Sequence, residues 1–243
     1  MRITRYFNCT QAEIDSKKFN IYLGISLGNK YFSKEHLREY LKWAFEYTRE
    51  RILFVIADIN HAKNYEVFSK YSSGKALRRA LRDGDKVVAT INELLAEFPE
   101  EERHRVTIIR WGDLQATSYY QDKQPLVMDE FKNNQAFNKY ILDIVDENLK
   151  DRVAGLDVAQ KDKLAEYVLD EIPIMVNGIT WQGTLYNLYP YPGTGLYDEL
   201  LMGLQNKTLF PELAQKLEIT NRSAEVEAFV TDNLQKSLPS NKS

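Results

Sequence analysis

The chain has 243 residues, of which 44% are hydrophobic and 28% charged, and its formal net charge is −3. This size and apolar fraction predict one domain over residues 1–236, followed by a disordered tail at 237–243. The net charge excludes binding of nucleic acid, DNA included, through bulk positive charge, and one cysteine with three histidines leaves no disulfide and no cluster with zinc-site spacing.

The N-terminal segment MRITRYFNCT lacks the apolar run of a secretory signal. Elsewhere the apolar stretches are interrupted by charges before they reach about 18 residues, which argues against a membrane span. We therefore expect a cytoplasmic protein.

The first half of the chain alternates short apolar strands with helical patterns. Strands are predicted at Asn20–Ile25, Ile52–Ala57 and Val106–Trp111, with a helix that begins after the N-cap Ser33 and a second helix over residues 75–98. Strands that are apolar throughout belong to a sheet covered on both faces, and the strand–helix–strand order predicts parallel βαβ units. The expected fold is a Rossmann-like, doubly wound α/β layer, in which ligands bind beyond the carboxyl ends of the strands.

The second half is less regular. Helices are predicted at Asp129–Lys150 and Val158–Glu171. Residues 178–203 are rich in Gly, Pro and Tyr and are expected to form loops with short extended pieces.

Ser26 is the first candidate for chemistry, because it stands between Gly24 and Gly28 where the first predicted strand ends. Small neighbours admit a substrate, and backbone N–H groups of the turn can face a developing oxyanion. From these residues alone, a serine that caps a helix or binds a phosphate is the favoured interpretation. The literal match of GISLG to G-x-S-x-G also brings in a serine hydrolase, but the last histidine is His104, too early for the usual order of a triad.

Tyr167 and Glu171 are four residues apart in a predicted helix, so they share one face. A carboxylate can hold a substrate ammonium, and a phenol can relay a proton where no histidine is available. Taken alone, the pair is more typical of a surface glutamate and a half-buried tyrosine at a helix end before Pro173.

A basic stripe lies on the predicted helix over residues 75–98. Its cations recur at helical spacing and provide a local site for phosphates, with a tRNA acceptor arm as the natural partner. The alternative is a solvated face paired with Asp83, Asp85 or Glu93. Gly84 is expected to weaken or kink the helix, and His61 is expected in a loop. The stripe consists of Lys75, Arg78, Arg79, Arg82 and Lys86.

Together these segments resemble the cyclodipeptide synthase family over roughly residues 15 to 200. The resemblance is carried by GISLGNKYFS, the basic helix, IIRWGDL and YVLDEIPI, in this order. It implies a Rossmann-like domain similar to the catalytic domain of class I tyrosyl- and tryptophanyl-tRNA synthetases, without ATP-binding motifs. It also implies two aminoacyl-tRNAs as substrates, no cofactor or metal, and a cyclic dipeptide as product; a monomer is expected.

The resemblance also implies roles for individual residues. Ser26 accepts the first aminoacyl group, the second tRNA then yields a dipeptidyl ester, and cyclisation releases a diketopiperazine. A late active-site tyrosine is assigned to Tyr189, with Tyr191 as the alternative because NLYPYPG holds two Tyr–Pro pairs. Asn29 fits one branch of the family and the Tyr–Pro pairs the other, which leaves the branch open. The remaining assignments are Glu171 for the substrate ammonium, Tyr167 for its positioning and for proton relay, Asn29 for bracing the serine loop, and Gly24 for substrate binding. A hydrolase that uses Ser26 and a non-catalytic tRNA-binding relative of the synthetases remain competing interpretations.

Overall fold

The computed structural model describes residues 1–193 and 195–230. The end of the predicted domain at residue 236 and the predicted tail at 237–243 lie outside this range. The strands are β1 (Arg2–Phe7), β2 (Ile21–Ser26), β3 (Ile52–Ala57), β4 (Val106–Arg110), β5 (Ile179–Trp181), β6 (Thr184–Tyr186), β7 (Leu188–Tyr191) and β8 (Ala224–Phe229). The helices are α1 (Gln11–Asp15), α2 (Lys34–Tyr47), α3 (Asp58–Phe68), α4 (Ser73–Leu95), α5 (Glu100–Arg103), α6 (Trp111–Gln115), α7 (Ser118–Asn133), α8 (Gln135–Leu149), α9 (Val158–Asn177), α10 (Leu196–Gln205) and α11 (Pro211–Leu217), with a 3-10 turn at Lys150–Val153.

Six strands form one sheet in the order β1-β8-β7-β2-β3-β4. All neighbouring pairs are parallel except β1 with β8, and β5 pairs with β6 as a separate antiparallel hairpin. Parallel neighbours need crossover connections, and these are supplied by helices that cover the sheet. The predicted Rossmann-like, mostly parallel α/β fold is confirmed.

The two faces of the sheet have different cores because successive strand residues point to opposite sides. On the face that packs against α2, the buried side chains are aliphatic or phenylalanine, such as Leu23, Ile25 and Phe54. On the other face, Tyr22 and Val55 pack with residues of α9, such as Ile174. The six residues of β3 are all buried, as its continuous apolar sequence predicts.

The first two long helices follow their sequence patterns. Ser33 is the N-cap of α2, and its hydroxyl accepts the His36 backbone N–H at 3.3 Å. The predicted apolar stripe of α2 is buried. Helix α4 runs through Gly84 without ending there. A Cβ on Gly84 would lie 2.7 Å from Arg110 Nη2 and 3.0 Å from Asp58 Cβ, so this glycine permits close packing of α4 against the end of β3.

Other boundaries differ from the prediction. The helix predicted at Asp129–Lys150 is the two helices α7 and α8, separated at Asn134, whose side chain caps α8. Helix α9 continues through Pro173 to Asn177, so Glu171 is not at a helix end. The region predicted as loops holds the expected short strands but also α10. His61 lies in α3 and not in a loop. Among the helices of the described residues, none combines the length and apolarity needed to cross a bilayer.

Candidate active site

Ser26 is the last residue of β2, at the carboxyl edge of the sheet. Strand β2 pairs with β3 up to Ser26 opposite Ala57, but with β7 only where Ile21 faces Leu188. The ends of β2 and β7 are therefore not joined by a hydrogen-bonded ladder, and side chains from both strands meet there. This is the position at which open α/β sheets bind their ligands.

Two tyrosine hydroxyls lie near the Ser26 hydroxyl. Tyr167 on α9 donates a hydrogen bond to Ser26 Oγ at 3.4 Å. The Tyr191 hydroxyl, at the end of β7, lies close enough to the side chains of Ser26 and Asn29 for both to act to lower its pKa. Burial raises the pKa of both phenols, which keeps them protonated at neutral pH and able to donate.

Asn29 holds the loop that follows Ser26. Its backbone N–H donates to the Ser26 carbonyl at 3.4 Å, and its side-chain oxygen accepts the Tyr31 N–H at 3.0 Å. Gly28 has a φ of +74°, a conformation that favours glycine. Asn29 thus forms one hydrogen bond to Ser26 and one to Tyr31 within this loop.

Glu171 lies one helical turn from Tyr167, with its carboxylate within hydrogen-bonding reach of the Tyr167 hydroxyl. Burial and the neighbouring Asp170 raise the pKa of Glu171 to about 8, while Lys63 and the Tyr167 hydroxyl act to lower it. The three groups Ser26, Tyr167 and Glu171 thus form a short polar chain. It can pass a proton between a hydroxyl and a carboxyl group without histidine.

An ion pair that the sequence analysis did not identify lies beside Glu171. Lys63 of α3 pairs with Asp170 of α9, and their side chains are only 16% and 7% exposed. Gln124 donates to the other oxygen of Asp170 at 3.1 Å. Lys63 follows β3 by six residues, and Asp170 directly precedes the candidate residue Glu171. These two positions are what the sequence offered for finding the pair. The pair joins α3 to α9 at the site.

Three tyrosine rings line the space between the two strands. Tyr22 stacks on Tyr189 with ring centroids 5.0 Å apart, and Tyr189 stacks on Tyr191 at 5.4 Å. The Tyr189 hydroxyl lies 3.2 Å from the point that a Cβ on Gly24 would occupy, so Gly24 leaves room for this ring. Both late tyrosines therefore lie at the site. Tyr191 carries the hydroxyl that lies near Ser26, whereas Tyr189 packs between Tyr22 and Tyr191.

The basic stripe is exposed along α4, away from the sheet. Asp83 pairs with both Arg79 and Lys86, each at 2.8 Å. Lys75 Nζ lies 3.8 Å from the centroid of the Tyr71 ring. Across residues 1–193 and 195–230, Arg78 and Arg82 form no ion pair, so their charges are available to a partner.

Helix α4 is tied to the sheet by Arg110 at the end of β4. Its guanidinium pairs with Asp58, pairs with Asp85 at 2.5 Å, and donates to the Leu81 carbonyl at 2.7 Å. Asp58 is the first residue of α3 and is fully buried. The basic helix is thereby held in a fixed position relative to the strand ends.

In the described part of the chain, no three His, Cys, Asp or Glu side chains are grouped so that they could hold a metal ion. The polar groups at the carboxyl edge are instead hydroxyls, one ammonium and carboxyl groups. Such a set suits acyl transfer supported by proton relay and hydrogen bonding.

Comparison with known proteins relates the chain to one family. The cyclodipeptide synthase family profile matches residues 7–202. The cyclo(L-leucyl-L-leucyl) synthase of Photorhabdus laumondii is 23% identical over 198 residues, which cover 76% of this chain and 84% of that protein.

Two solved structures show the same fold. A Mycobacterium tuberculosis protein, whose structure demonstrates that cyclodipeptide synthetases are related to type I tRNA synthetases, has a TM-score of 0.71 at 22% identity and covers 91% of this chain and 90% of its own. A cyclodipeptide synthase from Candidatus Glomeribacter gigasporarum, bound to Phe-tRNAPhe, has a TM-score of 0.59 at 17% identity and covers 91% of both chains. From the match over residues 7–202, which is most of its length, the chain belongs to the cyclodipeptide synthase family, a family of aminoacyl-tRNA-dependent transferases.

Proposed function

We propose that this protein joins the aminoacyl groups of two aminoacyl-tRNAs into a cyclic dipeptide through esters on Ser26. The observation that carries the proposal is the hydrogen bond from Tyr167 to the Ser26 hydroxyl, with the Glu171 carboxyl group next to Tyr167 and the Tyr191 hydroxyl nearby. The Phe-tRNAPhe complex of a protein with the same fold supports aminoacyl-tRNA as the substrate class.

The first step transfers an aminoacyl group to the enzyme. Ser26 Oγ attacks the ester carbonyl carbon of the first aminoacyl-tRNA, the bond to the tRNA ribose oxygen breaks, and that oxygen takes the proton from Ser26. Tyr167 and Tyr191 are placed to donate hydrogen bonds as negative charge moves between these oxygens. The tRNA ester is already activated, so the enzyme contributes position and proton relay.

The second and third steps use amines as nucleophiles. The amine of aminoacyl-Ser26 attacks the second aminoacyl-tRNA, forming a peptide bond and releasing the second tRNA. The amine of the resulting dipeptide then attacks its own Ser26 ester, which closes the six-membered ring and returns the hydroxyl to Ser26.

Glu171 is suited to these two steps by its pKa. An amine attacks only after its ammonium has lost a proton, and an α-ammonium has a pKa of roughly 7.7 to 8.0. The pKa of Glu171, about 8, matches that value. As a carboxylate, Glu171 holds the substrate ammonium. Because the two pKa values are similar, transfer of the ammonium proton to Glu171 before the attack costs little free energy.

The proposal is tested by intact-protein mass spectrometry after incubation with aminoacyl-tRNA. We expect wild-type protein to gain the mass of one aminoacyl group, and to release a diketopiperazine when turnover is complete. Ser26→Ala should lose both signals, while the control Ser69→Ala at the exposed end of α3 should keep them.

The competing functions give different results. A hydrolase acylates Ser26 from simple esters without tRNA and releases the free acid. A non-catalytic tRNA-binding protein gives no product, and Ser26→Ala changes nothing measurable. Diketopiperazine formation that persists in Ser26→Ala would reject the covalent route.

A further inference from the structure

A row of aromatic side chains connects the serine loop with the start of the basic helix. His61 Cε1 lies 3.5 Å from the position of a Cβ on Gly28, two residues after Ser26. The His61 ring contacts Tyr65 edge to face at 4.9 Å, and Tyr65 lies 6.2 Å from Tyr71 at an interplanar angle of 28°. Lys75 then stands over Tyr71. We call these four residues, His61, Tyr65, Tyr71 and Lys75, the aromatic track.

Neighbouring side chains hold the two tyrosine rings of the track in place. Tyr65 and Tyr71 pack against a small cluster of buried alanines, Ala62, Ala76 and Ala80. Tyr65, Tyr71 and His61 are each only partly buried. The Tyr65 hydroxyl donates to Asp83 at 2.7 Å, which fixes the ring in place. Rings that are anchored and partly open are suited to stacking by an incoming planar group.

The charge along the track changes from neutral to positive. Burial, with a smaller effect of Arg152, lowers the pKa of His61 to about 4, so its imidazole is uncharged at neutral pH. At the other end, Lys75, Arg78 and Arg82 supply positive charge. Single-stranded nucleic acid is bound by this combination, because its bases stack on aromatic rings and its phosphates are neutralised by cations.

We propose that the aromatic track carries the single-stranded 3′ end of the aminoacyl-tRNA from α4 to Ser26. This inference rests on the proposed function and deepens it. The duplex of the acceptor arm contacts the basic stripe, and the unpaired nucleotides that follow it stack along Tyr71 and Tyr65. The terminal ribose, which bears the ester, then lies next to His61 and Gly28, beside the Ser26 hydroxyl.

The test compares two RNA hairpins that carry no amino acid and share the same acceptor duplex. One is blunt, and the other has the four-nucleotide single-stranded 3′ extension of tRNA. Wild-type protein should bind the extended hairpin at least about tenfold more tightly, the effect expected when one or more bases stack on aromatic rings. The double variant Tyr65→Leu/Tyr71→Leu should lose this preference and keep its affinity for the blunt hairpin.

Two further variants serve as controls. Tyr65→Phe, which keeps the ring and loses the bond to Asp83, should retain the preference for the extension. Arg82→Gln should weaken the binding of both hairpins by the same factor. If the double variant does not fold, Tyr71→Leu alone should show a partial loss, because the second ring is still present.

The outcomes either support or overturn the proposal. Equal binding of both hairpins by wild-type protein, or an unchanged preference in a folded double variant, would show that the rings serve packing alone. Neither hairpin carries an aminoacyl group, so this result does not depend on whether Ser26 forms an ester or a diketopiperazine is released. Failure of the track is thereby separated from failure of the proposed reaction.

Discussion

The two faces of the central sheet use the same strands for different purposes. On the α2 side, Leu23, Ile25 and Phe54 belong to a core formed from hydrophobic side chains. On the α9 side, Gly24 and Ser26 lie in the same strand among tyrosines and carboxyl groups. Because side chains alternate along a strand, one residue contributes to the apolar core and the next one to the candidate site. Substitutions on one face should change mainly unfolding, and those on the other mainly catalysis.

The largest effect on stability is expected from the apolar face. Phe54 is fully buried, so Phe54→Ala should lower the free energy of unfolding by about 3 to 5 kcal/mol. Ser26→Ala removes one half-buried hydroxyl and should change this free energy by less than about 1 kcal/mol. Chemical denaturation of both variants measures the difference. A similar loss in the two variants would contradict the separation of the two faces.

Glu171→Gln should show how much the ionisation of the buried Glu171 carboxyl group lowers the free energy of unfolding. The pKa of Glu171 in the folded protein, about 8, lies above its ordinary value of 4.5, so the folded state favours the protonated form. Its contribution to stability is therefore fully present below pH 4.5 and is lost as the pH rises through 8. We expect Glu171→Gln to be more stable than wild type at pH 9 by about 1 to 3 kcal/mol, with a smaller difference at pH 6. Parallel pH dependences of the two proteins, measured by denaturation, would contradict this.

The ion pair beside Glu171 should move the pH profile of product formation in two directions. Removing a positive charge with Lys63→Met should raise the pKa of Glu171 and shift the acid limb to higher pH, by about one unit. Removing a negative charge with Asp170→Asn should shift it to lower pH. A pH–rate profile of each variant measures the limb. The titratable groups on neighbouring elements, which should stay unchanged, are Tyr167 on α9, Tyr22 on β2, Tyr189 and Tyr191 on β7, and Tyr197 on α10.

Shifts in the same direction would show that Lys63 and Asp170 act only by positioning α9. The double variant Lys63→Met/Asp170→Asn provides the control, because it removes both charges and leaves no unpaired buried ion. Its acid limb should lie close to that of wild type.

Removing single hydroxyls should distinguish the two late tyrosines. Tyr191→Phe loses the hydroxyl that lies near Ser26 and Asn29, and we expect kcat/KM to fall about tenfold, equal to ~1.4 kcal/mol. Tyr189→Phe keeps the ring stacks and should change kcat/KM by less than about threefold. Steady-state kinetics with one aminoacyl-tRNA preparation compares them. A larger effect at Tyr189 would identify it as the tyrosine that acts on the nucleophile.

The smallest effect is expected from single charges on α4. Arg78→Gln should reduce the slope of log affinity for tRNA against log salt by roughly 0.7 to 0.9, the value for one phosphate contact. Arg79→Gln should reduce it less, because Asp83 already neutralises part of the Arg79 charge. Binding measured between 50 and about 200 mM salt tests the order of the two. Equal slopes would show that the salt bridge opens when RNA binds.

The sequence predicted those parts of the molecule whose signals are local. Continuous apolar runs identify β2, β3 and β4, the spacing of apolar residues identifies α2, and the distance of four residues places Tyr167 and Glu171 on one face. The structure brings that face to Ser26, 141 residues away in sequence. The sheet edge of β1 and β8 was not predicted, because it pairs residues from opposite ends of the chain, such as Arg2 with Phe229.

The errors also have physical causes. The N-cap position of α3, Ala57, gives no side-chain hydrogen bond, so nothing in the local sequence marks the start of the helix that holds His61. The Lys63–Asp170 pair joins residues separated by 107 positions. Tyr189 and Tyr191 share one face of β7, and sequence alone offers no means of choosing between two alternate residues of one strand.

The Arg110 contacts have a consequence for the length of RNA that the enzyme can use. These contacts hold α4 against the ends of β3 and β4. The distance between the basic stripe and the Ser26 oxygen is therefore fixed by the protein. An acceptor stem that is one base pair too long or too short would present its ester out of reach of that oxygen, whatever amino acid it carries. Selection by RNA dimensions would then act before any selection by side chain.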